Sequence, residues 1–183
     1  MKKFYVLIAV LLSCFTASSA YAIEYNMSWT GNGGYSMEGL FSFDETTAPA
    51  VISEFGSGAT SDIISISATF FDPTSTPITS VTPVIARVSN YSYLEFNFDT
   101  VAESILLNFD VGIDNFNPGD IYLISDSFGT DLNQNDSAGI GVIIDTGGTI
   151  SVSRASVPEP ATLALFGIGL AGLGFARKKR KSA

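Results

Sequence analysis

The chain has 183 residues, 46% hydrophobic and only 15% charged, with nine basic residues, 18 acidic ones, no histidine and a net charge of −9. That length suits a single domain. The lack of histidine removes the commonest general base, the serine–histidine pair and the usual zinc ligand.

The chain opens on MKKFYVLIAVLLSCFTASSAYA. Lys2 and Lys3 are followed by an almost wholly apolar run from Phe4 to Phe15, then by small residues ending Ala20-Tyr21-Ala22. This is the layout of a secretory signal peptide over residues 1–22, with cleavage expected after Ala22. The apolar run is short against the ~20 residues of a permanent membrane helix. Cys14 is the one cysteine, and Leu12-Ser13 before it match a lipoprotein box poorly. Cleavage at Ala22 leaves no cysteine for a disulfide, a thiolate metal site or a nucleophile.

Residues 23–156 read as one all-β domain. Apolar and polar residues alternate in YSMEGLFSF, IISISATFF and SYLEFNF. Tyr35, Met37, Phe41 and Phe43 should share one face, as should Ile64, Ile66, Ala68 and Phe70, and Leu94, Phe96 and Phe98. TGNGG, FGSG, DPTSTP, NPGD, NQND and DTGG supply turn chemistry at short intervals. Some eight to ten strands are expected, near 23–30, 34–43, 49–54, 62–71, 77–80, 83–88, 91–98, 104–111, 120–125, 139–144 and 148–154, with some of these merging. Only DTVAESILLNF admits a helical turn. The pattern predicts an antiparallel β-sandwich, jelly-roll-like, with a barrel as the alternative.

Charge is uneven along the chain. Seven of the nine cations sit in the end segments, so the domain keeps Arg87 and Arg154 against 17 acids, a net of −15. Such a surface repels nucleic acid and anionic lipid and tolerates divalent cations or neutral glycans.

Asp131, Asn133, Asn135 and Asp136 begin a D-x-N-x-N run like a calcium loop. The match ends at position six, Asp136 in place of glycine, and at position twelve, Val142 in place of glutamate. The run reads as a polar turn between strands or an irregular calcium site; no other cofactor is expected. Trp29, Tyr35, Tyr91 and Tyr93 are either packing residues or a sugar-stacking platform. The acids could supply a glycosidase pair, but none lies in a distinguishing motif.

The last segment is VPEPATLALFGIGLAGLGFARKKRK, residues 157–181. Pro158 and Pro160 end any preceding element. Residues 161–176 carry no charge; as a helix they would be ~24 Å long, slightly short of a bilayer core. They show no polar face, unlike a soluble helix. Arg177, Lys178, Lys179, Arg180 and Lys181 mark the cytoplasmic end of a transmembrane helix. GIGLAG satisfies G-x-G-x-x-G, but the sequence ends before an acid could follow about 20 residues on, so it reads as small residues for helix contact.

Val157-Pro158-Glu159-Pro160, the Gly/Leu/Ala-rich span and the terminal basic cluster together resemble the PEP-CTERM sorting signal over residues 157–183. The resemblance implies recognition by exosortase, a membrane enzyme of Gram-negative bacteria that make extracellular polysaccharide. It makes Pro158, Glu159 and Pro160 the recognition residues. It further implies transient anchoring in the inner membrane, removal of the tail near the motif, and delivery of the body to the cell surface or extracellular matrix. A plain C-terminal anchor is the alternative. The expected protein is non-enzymatic and structural or adhesive, with extracellular polysaccharide as a candidate partner; the alternatives are a carbohydrate-binding module and a carboxylate-pair glycosidase.

Overall fold

The computed structural model describes residues 22–113 and 115–156. The expected signal segment up to Tyr21, the motif at 157–160, the span at 161–176 and the basic tip at 177–181 lie outside them.

Every regular element among the described residues is a strand. In chain order these are β1 (Ala22–Thr30), β2 (Ser36–Asp44), β3 (Val51–Phe55), β4 (Gly58–Ala59), β5 (Ile63–Phe71), β6 (Pro77–Ile85), β7 (Val88–Ser89), β8 (Glu95–Asp99), β9 (Ser104–Ile105), β10 (Phe109–Gly112), β11 (Ile121–Asp126), β12 (Gly129–Asn135), β13 (Gly141–Thr146) and β14 (Ser151–Arg154). They form two antiparallel sheets, the first in the order β14-β1-β2-β5-β6-β7-β4 and the second β13-β12-β11-β10-β8-β3, with β9 beside β8. The expected antiparallel sandwich is what the chain forms.

The alternation in the sequence becomes two inner faces. Tyr25, Met27, Trp29, Met37, Phe41 and Phe43 of the first sheet are buried with Ile52, Phe96, Phe98, Phe109, Val111 and Leu123 of the second. Phe41 stands edge-on to Phe96 (centroids 5.0 Å) and Phe98 (4.9 Å) and stacks on Tyr25 (5.2 Å). Each such ring contributes about 1.5–3 kcal/mol through burial, and each aromatic pair a further ~0.5–1.5 kcal/mol.

Several expectations need correction. Ile63, not Ile64, joins Ile66, Ala68 and Phe70 in the core. Ser42 faces Ser65 but Phe43 faces Ile63, so Ile64 is an extra residue in a bulge that reverses the phase. Residues 129–135, read as part of a polar turn or calcium loop, are strand β12, whose apolar centre is Leu132. Residues 91–94 form a turn ahead of β8. DTVAESILLNF holds no helical turn; Asp99 Oδ1 accepts from Val101 N and Ala102 N and caps a turn leading into β9. The 77–80 and 83–88 segments merge into β6 and continue to β7 across Ala86-Arg87, both at positive φ (49° and 64°). Two such residues make the mirror-image turn that suits a hairpin.

A bulge on β13 positions the joint between the sheets. Leu132 faces Asp145 and Asn133 faces Ile143, which leaves Ile144 extra and turns Asp145 inward. The Asp145 carboxylate accepts from Gly33 N (2.7 Å), Tyr35 N (3.0 Å) and Thr146 N (2.7 Å). Trp29 Nε1 donates to Gly147 O at 2.7 Å beside it. A side chain at Gly31 would collide with the Asp145 carboxylate. The TGNGG turn of one sheet and the DTGG turn of the other are thus two halves of one contact.

Candidate functional site

Strand register aligns the exterior of the second sheet. Phe55 of β3 faces Glu95 of β8; Glu95 faces Asp110 of β10; Asp110 faces Ile124 of β11; and Ile124 faces Asp131 of β12. Directly opposed residues share a face, so these side chains form one row across the strands. Their neighbours Ile52, Phe96, Phe109, Val111 and Leu123 point into the core, as the period of two requires.

Part of this row is an open groove of about 600 Å³ lined by Phe55, Tyr93, Glu95, Asp110, Ile124 and Asp126 among others. Phe55 is 61% exposed and Tyr93 45%. Tyr93 is held from two sides, edge-on to the buried Tyr91 (6.0 Å) and to the exposed Phe116 (6.0 Å). Phe116 has a φ of 58°, a strained conformation for a bulky residue. Its turn is fixed by Asp120 Oδ2, which accepts from Asn115 N and Asn117 N. On the groove floor Tyr91 Oη donates to Asp110 Oδ1 at 2.8 Å, fixing that carboxylate.

The aromatic set proposed from the sequence is dispersed. Trp29 is 1% exposed and belongs to the sheet joint; Tyr91 is core and Tyr35 half-buried against it. Of the four only Tyr93 faces outward with substantial exposure. Phe55 and Phe116, which the sequence reading passed over, are its neighbours on the outside.

The calcium candidates divide between a strand and a turn. Asp131, Asn133 and Asn135 alternate along β12, and Asp136 opens the turn to β13. Asp131 Oδ1 accepts from Thr146 Oγ1 (2.5 Å), and Asn133 Nδ2 donates to Asp131 O (3.3 Å). Asp136 Oδ1 accepts from Ala138 N (2.8 Å) and Ile140 N (3.0 Å). Among the described residues no group of three His, Cys, Asp or Glu side chains is arranged to hold a metal.

At the other end of the sandwich, Arg154 on β14 holds the last strand in place. Its Nε donates to Glu103 Oε1 (2.6 Å), its Nη2 to Glu45 Oε1 (3.3 Å), and its guanidinium lies 5.7 Å from the Tyr25 ring centre. The Arg154 hydrogen bond holds the Glu103 carboxyl below its ordinary 4.5. Burial, followed by the bond to Glu103, raises Tyr25 above 10.0. Ala155 N donates to Glu24 O and closes the β14 ladder. Pro158 follows Ala155 by three residues, a reach of at most ~10 Å.

Residues 156–181 match the PEP-CTERM protein-sorting motif. The chain carries a PEP-CTERM sorting domain. No curated protein and no solved structure matches the chain. The PEP-CTERM motif marks an exported protein sorted through exosortase, with passage across the inner membrane and transient anchoring there. Pro158, Glu159, Pro160 and the Arg177–Lys181 cluster fall within the matched residues. Among the described residues β14, with its Arg154 contacts, is the last strand, and it lies a few residues ahead of the sorting motif in the sequence.

Proposed function

We propose that the sandwich is a non-enzymatic envelope or matrix protein with a structural or adhesive role. In this reading exosortase removes the PEP-CTERM tail and the body passes to the cell surface or the extracellular polysaccharide. The observation that carries it is the PEP-CTERM match at residues 156–181, set directly behind a compact body with no histidine. After signal cleavage that body also lacks cysteine and lysine, so a histidine base, a cysteine nucleophile and a Schiff-base lysine are missing. Glu95 and Asp110 are acids directly opposed on neighbouring strands. They lie in no distinguishing catalytic motif, which favours the non-enzymatic reading.

The test follows the chain in an exporting cell with an exosortase. Pro158→Ala with Pro160→Ala should hold the body in the membrane fraction, while the unaltered chain is recovered outside. Equal recovery of both outside the cell would contradict the proposal.

A further inference from the structure

We infer that the groove on the exterior of the second sheet binds a neutral polysaccharide chain. The inference rests on the extracellular placement proposed above and names the ligand class for it. Three features lead to this ligand. The groove crosses β3, β8, β10 and β11, a length of about 14 Å at ~4.8 Å per strand spacing. β3 is the edge of its sheet, so no strand among the described residues closes the groove beyond Phe55. An open trough of this kind suits a linear polymer rather than a small molecule that must be enclosed.

The lining chemistry narrows the class. Phe55 and Tyr93 are exposed aromatic rings of the lining, Phe55 directly opposite Glu95 in register and Tyr93 two residues before it. Aromatic faces accept the apolar C–H faces of pyranose rings. Glu95, Asp110 and Asp126 are hydrogen-bond acceptors for sugar hydroxyls, and such charge-assisted bonds are the stronger kind. Asp110 already receives the Tyr91 hydroxyl on Oδ1, which fixes the carboxylate before any ligand arrives and reduces the ordering cost. The lining includes no cation, and the domain as a whole is at −15, two arginines against 17 acids. Acidic polymers are repelled. A neutral polymer meets no such barrier.

The test is affinity electrophoresis of the full chain in mild detergent through native gels containing hydroxyethyl cellulose, galactomannan, xyloglucan or a soluble β-1,3-glucan, with alginate and glycol chitosan as charged comparisons. At least one neutral polymer should retard the chain at both low and high salt. Tyr93→Ala and Phe55→Ser should each weaken retardation by about tenfold, the loss expected of an aromatic anchor. Both side chains are exposed, so folding is retained. Leu40→Ala, on the exterior of the first sheet, should change nothing. Retardation by none of the neutral polymers overturns the inference, as does retardation unaffected by Tyr93→Ala and Phe55→Ser. Binding to glycol chitosan alone, lost at high salt, also overturns it and assigns the groove to cations. None of these outcomes bears on where the body is delivered, which the motif variants test separately.

Discussion

The two outer faces of the sandwich have the same backbone and opposite chemistry. On the first sheet, register lines up Ser151, Ser28, Glu38, Thr69 and Ser80 across five strands. Short hydroxyls there satisfy one another, Ser42 with Ser65 (2.7 Å) and Thr69 with Ser80 (2.9 Å). On the second sheet the equivalent row is Phe55, Glu95, Asp110, Ile124 and Asp131. Both sheets bury the same kind of inner face, so the fold requires neither exterior. On the first face two hydroxyl pairs are satisfied within the protein, whereas the second sets the exposed Phe55 beside the carboxylates of Glu95 and Asp110. The residues that make the sandwich are thus separate from those on which the proposed binding rests.

The largest expected effects lie inside and should not distinguish the sheets. Phe41→Ala and Phe96→Ala, one from each inner face, should each cost about 3–5 kcal/mol in denaturant unfolding. Tolerance on one side alone would mean that the two sheets do not share a core. Next comes the joint. Asp145→Ala leaves the Gly33 and Tyr35 amides without their acceptor and should cost roughly 2–3 kcal/mol. Asp145→Asn, which keeps one oxygen acceptor, should recover part of that loss.

Outside, stability and binding should part company. Tyr93→Ala and Leu40→Ala should each change unfolding by no more than about 0.5 kcal/mol, while only the first weakens polysaccharide binding. Equal effects on binding would erase the distinction between the faces.

Smaller still is the pH response of the β14 contacts. Glu103 titrates below its ordinary 4.5 because Arg154 bonds its ionised form. The folded state then binds fewer protons than the unfolded state in that range. The contribution is complete above the unfolded value and is lost as pH falls through the folded one. Asp44 and Asp72, lowered mainly by hydroxyl bonds from Thr46 and Thr74, add to the same acid limb. Glu103→Gln should flatten that limb in thermal melts taken downward from pH 5. Tyr25 works in the opposite sense, its contribution fading as pH rises beyond 10.0. The smallest expected effect is that of calcium. Asp131 and Asp136 already accept hydrogen bonds from Thr146, Ala138 and Ile140. Added calcium or a chelator should shift the melting temperature by less than about 1 °C, well under 0.5 kcal/mol.

Much of this architecture was legible in the sequence, and the misses have physical causes. Met37, Phe41 and Phe43 alternate without interruption and are core residues as expected. The phase of β5 failed at Ile64 because a bulge has no sequence signature when its residues are all β-formers. β12 was missed because Asp131, Asn133 and Asn135 are turn formers in isolation; here they occupy the outer face while Leu132 anchors the strand from within. Ala86-Arg87 has neither glycine nor asparagine to announce its turn. The groove was half legible. Tyr93 and its acids were visible as residues, but Phe55 lies 38 positions earlier and joins them only through the β3–β8 pairing. The tail was the clearest of all, since its proline pair, apolar span and basic end lie in one contiguous stretch, the one the sorting motif matches.

The most direct test of the account is the intact mass of the protein recovered from outside exporting cells. It should begin at Ile23 and end close to Pro158, with the sandwich and its Arg154 contacts whole and Arg177–Lys181 gone. A recovered chain that still carries Lys181 would contradict the account.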